Sequence, residues 1–249
     1  MPEKLIEFWN RAPLTGPRFI HPDDEPILER KLLAQEPPLR SFDEYVTALR
    51  NVKLEARKLH LSLLPQPYLG DLRNAPVVIL LLNPGLDAND FYLESNSSEF
   101  REELLSSIRQ TSTKHIFLDP KWAWTSGFSW WEKKLRGVAE VIAAKKFRGR
   151  YGKALDLLAE KVACLEMVPY HSKSFGARVN IPSAIAARDA AKRIARDTNR
   201  TVIVTRRVKD WDLPGTDNVT LYNPAKAQSA SLGPESEGGK EILKALGAE

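Results

Sequence analysis

The sequence of 249 residues holds one cysteine, Cys164. A lone thiol cannot form an intramolecular disulfide, a cysteine-rich zinc site or an iron–sulfur cluster. Set within Val162-Ala163-Cys164-Leu165, it is expected as a buried structural thiol. Long apolar runs are lacking as well, since a membrane span needs about 20 consecutive apolar residues and no stretch approaches that length. The opening Met1-Pro2-Glu3-Lys4-Leu5 has no basic segment leading into an apolar one, as a secretory signal would, so a soluble cytoplasmic protein is expected. Gly-x-Gly-x-x-Gly, Gly-x-x-x-x-Gly-Lys-Ser/Thr and Gly-x-Ser-x-Gly are all missing, which removes the usual dinucleotide, P-loop and serine-hydrolase signatures. No His-x-Glu precedes a Cys-x-x-Cys, so the zinc deaminase pattern is absent too. The chain is expected to use neither metal nor cofactor.

Hydrophobic residues make up 43% of the chain, enough to bury a real core, and the length favours one large domain over two small ones. The formal net charge of +5 and pI near 9.2 suit a phosphate-bearing partner, although many proteins with no nucleic-acid role share them.

Residues 1–67 mix short helical signals with proline breaks. The clearest is Ser41-Phe42-Asp43-Glu44, a capping-box-like opening to a helix expected to run to about His60. This stretch reads as a helical N-terminal extension, and residues 76–246 as an α/β core of the same domain. Pro76 to Leu82 is apolar on both faces, the pattern of a central parallel strand. Further strands are expected at Val162 to Val168, Thr201 to Thr205 and Asn218 to Tyr222, separated by helices over Trp130 to Lys146, Tyr151 to Lys161 and Ser183 to Asp197. Ser236 to Leu246 reads as a closing helix weakened by Gly238 and Gly239. Alternating strands and helices imply right-handed crossovers and a mainly parallel four-stranded sheet in a three-layer α/β/α sandwich. The polar, aromatic stretch from Asp87 to Trp124, with one helical signal near Glu99 to Arg109, directly follows a strand's carboxyl end, where such sheets bind ligands. It is expected to cover the site.

The first strand ends in Asn83-Pro84-Gly85-Leu86 and the fourth in Leu221-Tyr222-Asn223-Pro224, so two Asn-Pro turns are expected on one rim of the sheet. Leu81-Leu82-Asn83-Pro84-Gly85 resembles the Gly-Ile-Asn-Pro-Gly motif of the mismatch-specific uracil and thymine DNA glycosylases, members of the uracil-DNA glycosylase superfamily. Asn223-Pro224-Ala225-Lys226-Ala227-Gln228-Ser229 is similar at its start to their Asn-Pro-Ser-Gly-Leu-Ser motif and then departs from it. Ser129-Trp130-Trp131-Glu132 looks like their Phe-Trp pair opening a helix. The likeness spans roughly Pro76 to Leu246.

The resemblance implies a monofunctional glycosylase, acting as a monomer on DNA, that extrudes a damaged, mismatched or modified pyrimidine and hydrolyses its bond to the sugar, leaving an abasic site. The residue chemistry is compatible. An amide does not titrate near neutrality, but the Asn83 carbonyl can accept a hydrogen bond from water and hold it below the anomeric carbon. Asn223 is the candidate for contacts to the flipped nucleotide, and Pro84 and Gly85, which follow Asn83, are further candidates for substrate contacts. His171, in Pro169-Tyr170-His171-Ser172, can donate to a developing anionic oxygen or bind phosphate; a structural hydrogen bond is the simpler role. Phe91, Tyr92, Trp130 and Trp131 are aromatic candidates for stacking, with at least one tryptophan expected in the core; Tyr170 joins them at the rim. Lys226, Ser229 and Ser231 are candidates for phosphate contacts, and Arg178, Arg206 and Arg207 for positive field. The long stretch after Asn83 and the altered second motif suit a larger base, such as the modified cytosines (glucosylated hydroxymethylcytosine among them) of some viral DNAs, and hence defence against foreign DNA. Two alternatives are a non-catalytic nucleic-acid-binding protein of the same fold and a hydrolase of free nucleosides.

Overall fold

The computed structural model describes residues 2–51, 54–176, 180–223 and 231–249. In chain order the elements are α1 (Glu3–Asn10), α2 (Glu25–Arg30), α3 (Phe42–Asn51), β1 (Tyr68–Leu69), β2 (Val77–Leu81), α4 (Ala88–Asn96), α5 (Ser98–Ile108), α6 (Ser126–Phe147), α7 (Tyr151–Lys161), β3 (Val162–Glu166), α8 (Pro182–Ala195), β4 (Thr201–Val204), α9 (Val208–Trp211), β5 (Val219–Leu221) and α10 (Glu237–Ala245). The strands form one sheet in the order β1-β3-β2-β4-β5. β3, β2, β4 and β5 are mutually parallel, and β1 lies antiparallel to β3.

The sheet therefore has five strands, not four. The extra one, β1, pairs only Tyr68 and Leu69 with Leu165 and Cys164, too short to show a period of two. It ends at Gly70, whose φ of 80° is the left-handed region that favours glycine. A Cβ there would stand 2.4 Å from the Val162 carbonyl oxygen.

Period-two alternation divides the core into two layers. Val77, Ile79 and Leu81 of β2 and Val162 and Cys164 of β3 pack with α5, α6, α7 and α10. Val78, Leu80, Ala163 and Leu165 pack with α1 and α8 on the opposite face. All five residues of β2 are buried, and burying each such side chain contributes about 1.5–3 kcal/mol before the opposing entropy. Cys164 lies in the first layer, buried and free.

Helix ends follow local chemistry. Thr125 caps α6, its hydroxyl accepting from the Phe128 N–H at 3.1 Å; the helix opens four residues before the expected Trp130 because this cap lies upstream. α10 tolerates its glycines because they permit close approach: a Cβ on Gly239 would fall 1.8 Å from the Gly233 carbonyl oxygen. α3 ends at Asn51, well short of His60.

The N-terminal helices belong to the core. Leu5, Ile6 and Trp9 of α1 and Leu28 of α2 are buried against the α8 layer. Buried Asp24 ties this region to the rest. Its carboxylate accepts from the Tyr170 hydroxyl at 2.6 Å and from the Ser183 N–H in the first turn of α8 at 2.9 Å. The Tyr170 oxygen accepts in turn from the His21 N–H at 3.1 Å. Burial raises the Asp24 carboxyl above its ordinary range, and the hydrogen bonds from Ser183 and Tyr170 oppose that rise. Among the described residues no helix is long and apolar enough to cross a membrane.

Removing the Tyr170 hydroxyl withdraws a donor from a buried carboxylate, a loss of about 1.5–3 kcal/mol. Tyr170→Phe is expected to lower the unfolding free energy by that amount in urea titration, and a chain lacking residues 1–61 is expected to lose cooperative unfolding. A truncated chain that unfolds cooperatively near the wild-type midpoint would show that the N-terminal helices are dispensable for the core.

Candidate functional site

Parallel pairing brings the carboxyl ends of β3, β2 and β4 to one rim. Leu81 stands opposite Glu166, and Leu80 opposite Val204, so Asn83, Glu166 and Arg206 emerge together. There they line a cleft of about 310 Å³, within the size range of small-ligand pockets, about 300–1,000 Å³. Its apolar lining includes Leu69, Leu81, Phe117, Trp130 and Trp131, and its polar lining Gln66, Asn83, Asp90, Glu166, His171 and Arg206.

Asn83 is held by its nitrogen. Nδ2 donates to the Pro84 carbonyl at 2.6 Å and lies 3.4 Å and 3.1 Å from the carbonyl and hydroxyl oxygens of Ser172. Backbone carbonyls only accept, so these contacts fix which end of the amide is nitrogen. Oδ1 has no partner among the described residues, which leaves an acceptor for a water or ligand. Pro84 and Gly85 also line the cleft.

His171 secures the same loop from the other side. It is 2% exposed, and Nδ1 donates to the Gly85 carbonyl at 2.8 Å. With the proton on Nδ1, a neutral ring offers only an acceptor at Nε2, and Nε2 is buried without a partner among the described residues. The role of donor to a developing anion thus requires a doubly protonated ring; in its neutral form His171 positions the Asn83 loop. Asp90 lies 3.8 Å from Nδ1. Its carboxylate accepts from the Asp87 N–H at 2.7 Å in the capping box of α4. Burial raises the Asp90 carboxyl above its ordinary range, with His171 opposing.

Glu166 was not singled out from the sequence. It is 7% exposed, and its Oε2 is buried with no partner among the described residues. Burial pushes the carboxyl up to about 8, with Arg206 the opposing charge. The signal was present: Val162-Ala163-Cys164-Leu165-Glu166-Met167-Val168 carries one ionisable carboxyl in an otherwise apolar strand, and such a group needs a reason to be there. Gln66 was likewise missed, because it lies in a proline-rich turn with no motif around it.

The two tryptophans divide as adjacent helical residues do. Trp131 is 4% exposed and meets the His115 ring edge-on at 4.5 Å, whereas Trp130 is 42% exposed. Their rings lie 5.1 Å apart at 84°, and both line the cleft. The 87–124 stretch is more ordered than expected, folding into α4, α5 and two single 3₁₀ turns. It contributes Asp87, Asp90 and Phe117 to the cleft.

Several expected positions lie elsewhere. Phe91 is buried and stacks on Tyr45 at 4.7 Å, in a small core with Leu39 and Leu63. Tyr92, next along α4, is exposed and meets the edge of Phe42 at 5.5 Å. Tyr170 is consumed in the Asp24 network. None of the three lines the cleft, because each aromatic ring is taken by packing on another element. Asn223 is exposed at the end of β5, with β4 standing between that strand and β2, and it does not line the cleft either. The exposed Ser231 hydroxyl accepts from the Gly233 N–H at 3.1 Å. Arg207 donates to the Gly176 carbonyl at 2.8 Å and pairs with Asp210 at 3.4 Å. Arg178, Lys226 and Ser229 lie outside the described residues. Among the described residues no group of three or more His, Cys, Asp or Glu side chains is placed to hold a metal ion.

A carboxyl whose folded pKa lies above its unfolded value contributes stability that is full below the unfolded value and lost as pH rises through the folded one. For Glu166 that window runs from about 4.3 to about 8. Wild type is therefore expected to lose stability relative to Glu166→Gln across pH 5 to 9, by a few kcal/mol at most; a pH-independent difference between the two melting curves would refute a buried, neutral carboxyl. No protein-family profile, curated protein or solved structure matches this chain.

Proposed function

We propose that this chain is a monofunctional DNA glycosylase, with a fold of the uracil-DNA glycosylase type, that hydrolyses the bond between a pyrimidine-type base and its deoxyribose. One observation carries this reading: Asn83 is clamped through its nitrogen, with its oxygen left as an acceptor, in a cleft that also holds aromatic rings and buried hydrogen-bonding groups. The resemblance of Leu81 to Gly85 to a glycosylase motif points to the same residue.

An extruded base enters this cleft and meets both its aromatic and its polar lining. Leaving the duplex costs a few kcal/mol, and stacking with edge hydrogen bonds offsets it. Trp130 and Phe117 supply apolar surface, and Gln66 and Glu166 supply donors and acceptors. Asn83 Oδ1 holds a water beneath C1′ without removing its proton. The bond breaks through an oxocarbenium-like transition state, and the Asp90 carboxylate, when ionised, favours the positive sugar. Arg206 lines the cleft and is exposed, so its guanidinium can meet a phosphate of the strand there.

The exposed position of Asn223 favours a second reading, a nucleic-acid-binding protein of this fold without turnover, because this asparagine, the one described residue of the second motif, does not line the cleft.

A base-release assay decides between the two. On duplexes carrying uracil, a thymine mismatch, or hydroxymethylated or glucosylated cytosine, wild type is expected to release one class of base, and Asn83→Ala to lose on the order of 100-fold in rate while still binding DNA. Arg206→Ala is expected to reduce the dependence of log affinity on log salt by about one. DNA binding with no base released from any duplex would establish the second reading.

A further inference from the structure

Glu166 does more than line the cleft, and what it does specifies the substrate of the glycosylase reading on which this inference rests. We propose that Glu166 is a neutral acid that pairs with the Watson–Crick edge of a 4-aminopyrimidine and gives its proton to ring N3 as the glycosidic bond breaks, making cytosine or a 5-substituted cytosine the preferred base.

The geometry comes first. Glu166 is the last residue of β3, and its parity places it with Val162 and Cys164, which pack into the α6 layer. It ends at the cleft, almost wholly buried, with Oε2 lacking any partner among the described residues. A buried carboxyl oxygen left unpaired costs about 1–3 kcal/mol or more, and a ligand edge that satisfies it removes that cost. Among the described residues, the charged and titratable groups around it are Arg206 from the end of β4, Cys164 two residues back on its own strand, and Asp87, Asp90 and His171 along the cleft. These described residues set three carboxyl groups against one arginine and one imidazole. Burial keeps the Glu166 proton on up to about 8, so the acid form prevails at neutral pH.

A neutral carboxyl offers one O–H donor beside one carbonyl acceptor. Cytosine presents N3, an acceptor, beside N4–H, a donor, so the two groups match in both bonds. Uracil carries hydrogen on N3 and cannot take a proton there. Catalysis follows the same distinction. As the C1′–N1 bond breaks, its electron pair moves into the ring, the Glu166 proton passes to N3, and the base departs neutral. Water held by Asn83 forms the new C1′–O bond and loses a proton, which returns to the Glu166 carboxylate. Net, one water is consumed and no redox partner is needed.

The test is single-turnover base release from pH 6 to 9.5, with DNA affinity measured in parallel. Duplexes that differ only in one uracil, mismatched thymine, cytosine or 5-hydroxymethylcytosine are compared, with wild type and Glu166→Gln. The expected result is release of a cytosine-type base at a rate that falls about tenfold per pH unit above about 8. Glu166→Gln, which donates a hydrogen bond but no proton, is expected to bind DNA normally, lose on the order of 100-fold at pH 7 and show a flat profile. Release of uracil or thymine with cytosine-type bases untouched overturns this proposal alone, as does a Glu166→Gln profile that matches wild type. Release of no base from any duplex overturns the glycosylase reading itself.

Discussion

Parallel pairing of β3, β2 and β4 is the constraint on which everything else rests. Strands that run the same way must end on the same rim, and the register sets how far each side chain stands above it. With Leu81 beside Glu166 and Leu80 beside Val204, the amide of Asn83, the carboxyl of Glu166 and the guanidinium of Arg206 converge from positions far apart in sequence. A slip of one residue on β3 would turn Glu166 to the other face of the sheet. The apolar residues that fill both layers hold that register, so core packing and site geometry are one problem.

On this rigid rim, hydrogen bonds set the fine geometry. The Asn83 side chain and the Gly85 carbonyl are both bonded to the segment that follows β3, through Ser172 and His171. The loop is thereby fixed on two sides before any ligand arrives, which is what positioning a water demands. The Asp24 network supports the same segment from behind, because Tyr170 immediately precedes His171. The N-terminal helices therefore act on the cleft at one remove, through the packing that fixes the exit of β3.

Much of the fold was legible in the sequence, because periodicity and chain punctuation record it directly. The double-sided apolar run at Val77 to Leu81 and the helix from Tyr151 to Lys161 both occupy the expected places. β1 was not legible, since two residues between prolines and a glycine show no period. The Asn83 turn and the tryptophan pair, both singled out by motif and order, line the cleft. Phe91, Tyr92 and Tyr170 were misplaced because an aromatic residue near a motif looks the same whether its ring faces a cleft or a neighbouring helix. Glu166 escaped for the opposite reason: it belongs to no motif, and only its burial, set by the strand register, makes it unusual.

Extrusion of one nucleotide into the Asn83 cleft is the central claim, and equilibrium affinity measures it most directly. Three duplexes that differ at a single pair are compared: fully matched, mismatched, and carrying an unpaired tetrahydrofuran sugar opposite an intact base. Extrusion costs less as the pair weakens, so affinity is expected to rise across the series by a total of about 10- to 1000-fold, the equivalent of a few kcal/mol. Equal affinity for all three would mean that the protein grips an intact duplex, and would contradict the account.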